Sequence, residues 1–345
     1  MKKKKSEPKI EEPLEKIDIE SLDDIPHIGA VSLEKLKREN IANKLKFFTD
    51  LTNTKLIEIT GMKRADAMEA FEYVRKALIQ SGQIHKTLKT ASQLYKEQQK
   101  EKTFHTGSNA FDSLFGDGLR AGYITSIHGE NGSGKTQLEM CLMLGCVIND
   151  PTALVAVIDT EGKFFVKRLL SILTARGLIK TEEEGFDKYL DRILIYKAST
   201  QDEQMMYIDN FSSMLAEKSS IKMMVIDSII SLFQSEFQGR GVMKEKFSII
   251  KPMMQNLRII AETYQIPIIC INTVHKSPDM MYGLDSVIAA GGNSVGHPLT
   301  YIIKVERIGG TGKRRATMIK SPGDPENEAD FMITSKGVED AERKK

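Results

Sequence analysis

The chain has almost no excess of charge of either sign. Its 345 residues carry 49 Lys and Arg against 47 Asp and Glu, a formal charge of +2. No global attraction to a polyanion is built in, so any nucleic-acid contact has to come from local patches. Cysteine is scarce: Cys141, Cys146 and Cys270 stand apart among apolar neighbours. That pattern argues against a disulfide framework and reads as buried, reduced thiols. No Cys-x-x-Cys pair and no histidine cluster suggests zinc. No apolar run approaches the roughly 18 residues of a membrane span. The basic start is not followed by an apolar stretch, which argues against a secretory signal. The expectation is a soluble, intracellular protein, cytoplasmic and nucleoid-associated in a prokaryotic or viral setting.

What is present organises into segments. Hydrophobic residues make up 41% of the chain, enough for a real core, and the length favours two domains. Residues 1–17 read as a disordered basic tail, with the Lys2–Lys5 run soon followed by Glu11 and Glu12. Residues 18–82 read as a small all-α domain. In "SLEKLKREN" and just beyond it, Leu33, Leu36 and Ile41 fall near one face; in "ADAMEAFEYVRKALI", Ala67, Phe71, Val74 and Leu78 fall in helical register. The turns "IPHIGA" (Ile25–Ala30) and "ITGMKR" (Ile59–Arg64) share the form apolar, x, Gly and suggest a duplicated hairpin. Residues 83–103 are polar, rich in Lys and Gln, and read as a partly helical linker. From Phe104 the runs "YITSI", "LVAVI", "ILIY", "KMMVI" and "PIICI" alternate with helical stretches. That alternation predicts an α/β fold with a central, mostly parallel, buried sheet over residues 104–345. The closing runs "YIIKVER", "RATMIK" and "ADFMI", separated by turns, read as an antiparallel extension.

The chemistry starts at "GENGSGKT", Gly129 to Thr136, which has the form G-x-x-x-x-G-K-T between a predicted strand and a predicted helix. Its glycines let the backbone wrap around phosphate, with successive N–H groups and a helix N-terminus facing the anion. Gly129, Glu130, Asn131, Gly132, Ser133, Gly134, Lys135, Thr136 and Gln137 form the expected nucleotide cradle. Lys135 is expected to reach the β- and γ-phosphates, and Thr136 to ligate Mg²⁺. Asp227, ending the apolar run "MMVID", is the second expected Mg²⁺ ligand. Glu161, in "VIDTEGKF", is the candidate for polarising the water that attacks ATP; the plain alternative is a solvated turn residue. Both acidic strand ends belong at the carboxyl edge where α/β sheets bind ligands.

In this order the motifs resemble the RadA/RecA family of ATP-dependent homologous recombinases, most closely its archaeal RadA branch. The resemblance covers residues 20–340 or so and includes "HTGSNAFDSLFGDGL", "GENGSGKTQL", "VIDTEGKF", "VIDSIISLFQSEFQGRG" and "AAGGNSVGHPLT". It implies a RecA-like P-loop ATPase core preceded by a helix-hairpin-helix domain that meets DNA phosphates through backbone N–H groups. It also implies self-association into a helical filament or ring, on single-stranded and double-stranded DNA, with no membrane. Leu88 and Ala91, in "LKTA", match a Phe-x-x-Ala motif that docks on the next subunit. The smaller Leu would lose up to about 1 kcal/mol of apolar burial. Arg240 and Lys246 match basic residues of the first DNA loop, Gln234–Lys246. A second DNA loop is expected within His275–Gly296 and contains Gly291 and Gly292. Arg168 matches an arginine that packs near adenine, and Pro322 lies in the segment that caps ATP from a neighbouring subunit.

The chain departs from the family pattern at five positions. His27 stands for a glycine in the first hairpin, Leu88 for Phe, Phe165 for Arg, Gln234 for Arg, and Thr273 for the Gln that senses the γ-phosphate. Three readings follow. The first is a DNA-dependent ATPase that forms filaments on single strands and exchanges strands. The second is an accessory paralogue with little strand exchange, toward which Thr273, Gln234 and Leu88 lean. The third is a RecA-core hexameric helicase, opposed by the hairpin domain and the "QGRG" loop.

Overall fold

The structure is a computed structural model that describes residues 18–81, 90–99, 102–217, 220–236, 243–276, 287–289, 295–323 and 326–341. The chain divides into two compact units, Met1–Lys89 and Thr90–Lys345.

Among its described residues the first unit contains helices only: α1 (Ala30–Arg38), α2 (Lys44–Asp50), α3 (Asn53–Thr60) and α4 (Arg64–Gln80). Asn43 and Thr52 start α2 and α3 by accepting from the N–H groups of Lys46 and Lys55, donors that a helix leaves without internal partners. Helix α3 stops at Gly61, whose φ of +76° is left-handed, and α4 begins three residues later. At the turn before α1, His27 has φ +65°, a conformation glycine takes freely and a residue with a β-carbon resists. A 2.9 Å contact to Glu69 holds its ring there and raises its pKa above the usual value. Leu36, Leu56, Phe47, Val74 and Leu78 are buried between the helices, with Phe47 tilted against Phe71 at 5.0 Å between centroids.

The second unit opens with α5 (Ala91–Gln98), the strand pair β1 (Thr103–Phe104) and β2 (Leu119–Arg120), and between them the short α6 (Asn109–Asp112). The α/β alternation follows: β3 (Ile124–His128), α7 (Lys135–Asn149), β4 (Leu154–Asp159), α8 (Val166–Ala175), α9 (Glu182–Lys188), β5 (Ile193–Lys197), α10 (Gln201–Glu217), β6 (Ile221–Asp227), α11 (Ser231–Glu236), α12 (Met243–Tyr264) and β7 (Ile268–Asn272). A small pair, β8 (Val274–Lys276) and β9 (Val287–Ala289), precedes the closing strands β10 (Tyr301–Arg307), β11 (Lys313–Lys320), β12 (Glu328–Thr334) and β13 (Gly337–Asp340).

Nine strands form one sheet in the order β13-β12-β11-β10-β3-β7-β6-β4-β5. All pairings from β10 to β5 are parallel, and those from β10 to β13 are antiparallel. The antiparallel extension therefore begins at β11, not at Tyr301. Strand β10 pairs with both kinds of neighbour, parallel to β3 and antiparallel to β11. Every residue of β3 and β7 is buried, as expected of strands covered by helices on both faces. One face packs Val157, Val225 and Ile271 against α7 and α8. The other packs Ile158, Ile226 and Cys270 against α10 and α12.

Candidate functional site

The sheet register brings the working residues to one edge. Asp159, the last residue of β4, lies beside Asp227, the last of β6, and His128 at the end of β3 lies beside Asn272 at the end of β7. Between β3 and α7 the loop Gly129–Gly134 folds as close packing demands. A β-carbon on Gly129 would fall 2.1 Å from the Val305 carbonyl, and Gly134 has φ +112°. The Lys135 ammonium is buried and accepted by the carbonyls of Gly129 at 2.9 Å and Glu130 at 3.1 Å. A cavity of about 260 Å³ flanks the loop, lined by Gly129, Glu130, Asn131 and Ser133 and by Lys304, Val305, Glu306 and Arg307 of β10.

The acids are held by stitches between strand ends. Asp159 accepts from the N–H groups of Glu161, Gly162, Lys163 and Phe164 at 2.8–3.3 Å, which sets the turn that carries Glu161. The Thr160 N–H donates to the Asp227 carbonyl at 2.8 Å. Its hydroxyl donates to the Ser228 carbonyl at 2.8 Å and accepts from the Ser228 N–H at 2.7 Å. Glu161 is ion-paired with the exposed Lys163 at 2.8 Å.

Electrostatics tie these groups together. Burial lowers the Lys135 pKa, and the nearby Asp227, Glu161 and Glu139 oppose that shift. Burial, together with the Glu161 charge, pushes Asp227 up to about 6 against the pull of Lys135. Burial and the neighbouring Asp227 raise Glu139 well above the ordinary carboxylate range. Burial, reinforced by Lys304 and Lys135, drives His128 down to about 4.

Thr136 and Asp227 offer a hydroxyl and a carboxylate, both hard oxygen donors. Among the described residues, no group of three or more His, Cys, Asp or Glu side chains is arranged to hold a metal by itself. Mg²⁺ fits such a sparse set, because it keeps several waters and takes one or two protein oxygens alongside substrate phosphates.

The remaining expected residues divide into three groups. Arg168 is joined to the cradle: its Nε donates to Gln137 Oε1 at 2.7 Å and its Nη2 to the Thr334 carbonyl at 2.6 Å. Pro322 is exposed just past β11, Ala91 is the exposed first residue of α5, and the backbone of Lys246 belongs to α12. Leu88, Arg240, Gly291, Gly292 and the basic tail lie outside the described residues. Of the second expected DNA loop, the described ends pair as β8 and β9, with Val274 opposite Ala289. Thr273 is half-buried directly after β7, its N–H bonded to Asn272 Oδ1 at 2.8 Å.

Sequence reasoning missed four contributors. Asp159 was one of two acids in the same turn, and its role as the turn's acceptor is a matter of backbone geometry. Arg307 and Arg314 face each other across β10 and β11 and both donate to the Gly132 carbonyl, at 2.9 and 3.4 Å. No local pattern announces that contact. Glu139 did leave a signal, as a lone acid inside the apolar run "LEMCLML".

With this geometry in view, comparisons with known proteins carry weight. A family model described as Rad51 matches residues 79–341. The DNA repair and recombination protein RadA of Cenarchaeum symbiosum (strain A) is 32% identical over 334 residues, covering 94% of this chain and 81% of that protein.

Proposed function

The chain belongs to the Rad51 family, and on that basis we propose that it is a DNA-dependent ATPase that assembles on single-stranded DNA and carries out homologous pairing and strand exchange in recombination and repair. The observation that carries this reading is the convergence of Lys135, Asp227 and Glu161 at the sheet edge. The segments following β6 and β7, read as DNA loops, leave the same edge.

In this reading the N–H groups of the Gly129–Gly134 loop and the start of α7 receive the phosphates of ATP. Lys135 exchanges its two carbonyl acceptors for phosphate oxygens. Thr136 and Asp227 hold Mg²⁺, which when bound neutralises charge on those oxygens. Glu161, oriented by the Asp159 turn, accepts a hydrogen bond from the attacking water. Arg168 packs at the base, and Pro322 caps the nucleotide of a neighbouring subunit. Leu88 and Ala91 anchor the linker on that neighbour. Arg240, Lys246, Gly291 and Gly292 contact DNA, mainly through its backbone. Binding is then sensitive to salt and largely indifferent to sequence.

One observation favours the accessory reading. Thr273 is too short to span the distance a glutamine covers, which leaves the coupling between ATP and the second loop to a bridging water.

Joint-molecule formation by the purified protein with ATP and homologous DNA separates the two: a recombinase forms them, an accessory factor does not. Lys135→Ala is expected to lower hydrolysis at least ~100-fold. DNA-stimulated turnover that survives this change would rule out the nucleotide site described above.

A further inference from the structure

Arg307 and Arg314 are two cations that the chemistry above does not use. They stand opposite each other on β10 and β11. Strand β10 runs parallel to β3, the strand that feeds the Gly129–Gly134 loop, so its end lies beside that loop. Arg307 Nε donates to the Gly132 carbonyl at 2.9 Å, and Arg314 Nη2 donates to the same oxygen at 3.4 Å. The contact is close-packed. A β-carbon on Gly132 would fall 2.7 Å from Arg307 Nη2, and one on Gly134 would fall 3.6 Å from Arg314 Nε.

The charges of the hairpin set this pair apart. Lys304 is paired with Glu306, Lys313 with Asp330, and Arg315 with Glu328 and Asp330, all at 2.7–3.0 Å. Among the described residues neither Arg307 nor Arg314 has a carboxylate partner, and Arg314 Nε is buried without an acceptor. Burial, with the Arg307 charge added, lowers the Arg314 pKa. Two cations on one carbonyl repel each other, and an anion across the loop would offset that repulsion. The peptide plane gives the contact a direction. In a trans peptide the C=O and the following N–H point opposite ways. The Ser133 N–H accordingly points into the loop, where it donates to the Glu130 carbonyl at 3.1 Å.

We propose that Arg307 and Arg314 are positioning residues of the phosphate loop: from two neighbouring strands they hold the Gly132 carbonyl outward, which aims the N–H groups after it at the nucleotide phosphates. They act on the loop from outside, through its backbone. Their charge, which no acid of the hairpin answers, favours a polyphosphate on the other side of the loop. The role needs a cationic donor at each place.

The inference rests on the ATP reading above, and its test keeps the two separate. A fluorescent non-hydrolysable ATP analogue is titrated onto the full chain with Mg²⁺ and without DNA, which yields both Kd and the number of sites. Arg307→Met and Arg314→Met are each expected to raise Kd ~10-fold, the worth of one charge-assisted hydrogen bond, with the number of sites unchanged. Arg307→Lys keeps the charge and a donor and is expected within about 3-fold of wild type. A wild-type Kd for either methionine variant overturns the proposal. So does a loss of sites at unchanged Kd, which is what partial unfolding gives. So does an Arg307→Lys variant as weak as Arg307→Met, a comparison that stays readable if the Arg314 variant does not fold. A wild-type chain that binds no analogue removes the nucleotide reading, and this inference with it.

Discussion

Lys44 carries a charge with no exposed surface. Its ammonium donates to the carbonyls of Asp18 at 2.5 Å and Ser21 at 2.7 Å and pairs with the Asp24 carboxylate. Asp24 also accepts from the Tyr73 hydroxyl at 2.7 Å, so one carboxylate joins the start of the unit to α2 and α4. Partial burial raises the Asp24 pKa, but the bonds from Lys44 and Tyr73 outweigh that and leave it below the ordinary value. A depressed folded-state pKa means that the stabilisation is fully present above the unfolded value and is lost as pH falls through the folded one. Breaking a fully buried pair would cost about 3–5 kcal/mol. The Asp24 side chain is 39% exposed, so the expected loss for Asp24→Asn is nearer ~1 kcal/mol. Urea unfolding should show that deficit at pH 7, and it should fade as pH falls through the lowered pKa of the folded Asp24, once both proteins carry a neutral group. A deficit unchanged by acid would mean that the carboxylate charge is not what matters.

At the scale of the element, the site depends on how the ends of β4 and β6 are joined. The Thr160 hydroxyl is bonded to both the N–H and the carbonyl of Ser228 and lies 2.9 Å from the Ser231 hydroxyl. Valine keeps the shape and removes the hydroxyl, leaving buried backbone groups unpaired at about 1–3 kcal/mol. Thr160→Val should therefore lower the urea midpoint without changing the slope. It should also reduce kcat for ATP more than KM, because Glu161 and Asp227 lose their common alignment; Thr160→Ser should restore both. A kcat lowered only in proportion to the folded fraction, with KM unchanged, would point to loss of fold alone. This stitch also marks the limit of what could be read in advance. An apolar strand ending in an acid is visible as a local pattern, and so is a glycine loop between strand and helix, which is why β3, β4 and β6 and the residues at their ends were legible. Hydrogen bonds between strand ends depend on register, which comes from sheet order. The same is true of β10, whose parallel neighbour β3 lies almost 180 residues earlier in the chain. It is true again of Arg307 and Arg314, whose shared acceptor in the P-loop only the folded sheet supplies. His27 shows the reverse: a glycine-like turn was read around it, and the left-handed φ of +65° is what that turn demands of whichever residue stands there.

For the whole molecule, the proposed activity requires more than one copy, because Pro322 and the linker are proposed to act on neighbours. The sheet ends at β5, with no further strand beyond it among the described residues. On β5 itself the apolar Ile195 is exposed. An exposed edge strand with apolar side chains is a template for association with another chain. The contribution of Leu88 to such a seam can be bounded. Burying a leucine is worth roughly 1.5–3 kcal/mol, and placing an aspartate in the same apolar seat adds the cost of desolvating a charge. Each contact would then weaken by at least ~100-fold in equilibrium constant. In an assembly built from repeated identical contacts, that change shortens every chain of subunits at once. Full-length Leu88→Asp with ATP and single-stranded DNA should therefore appear by electron microscopy and sedimentation as small species. Its Lys135-dependent nucleotide binding should persist, because the loop Gly129–Gly134 and α7 belong to a single copy. Filaments of wild-type length from this variant would place the subunit contact elsewhere. Loss of nucleotide binding together with assembly would mean instead that the cradle itself is completed by the neighbour.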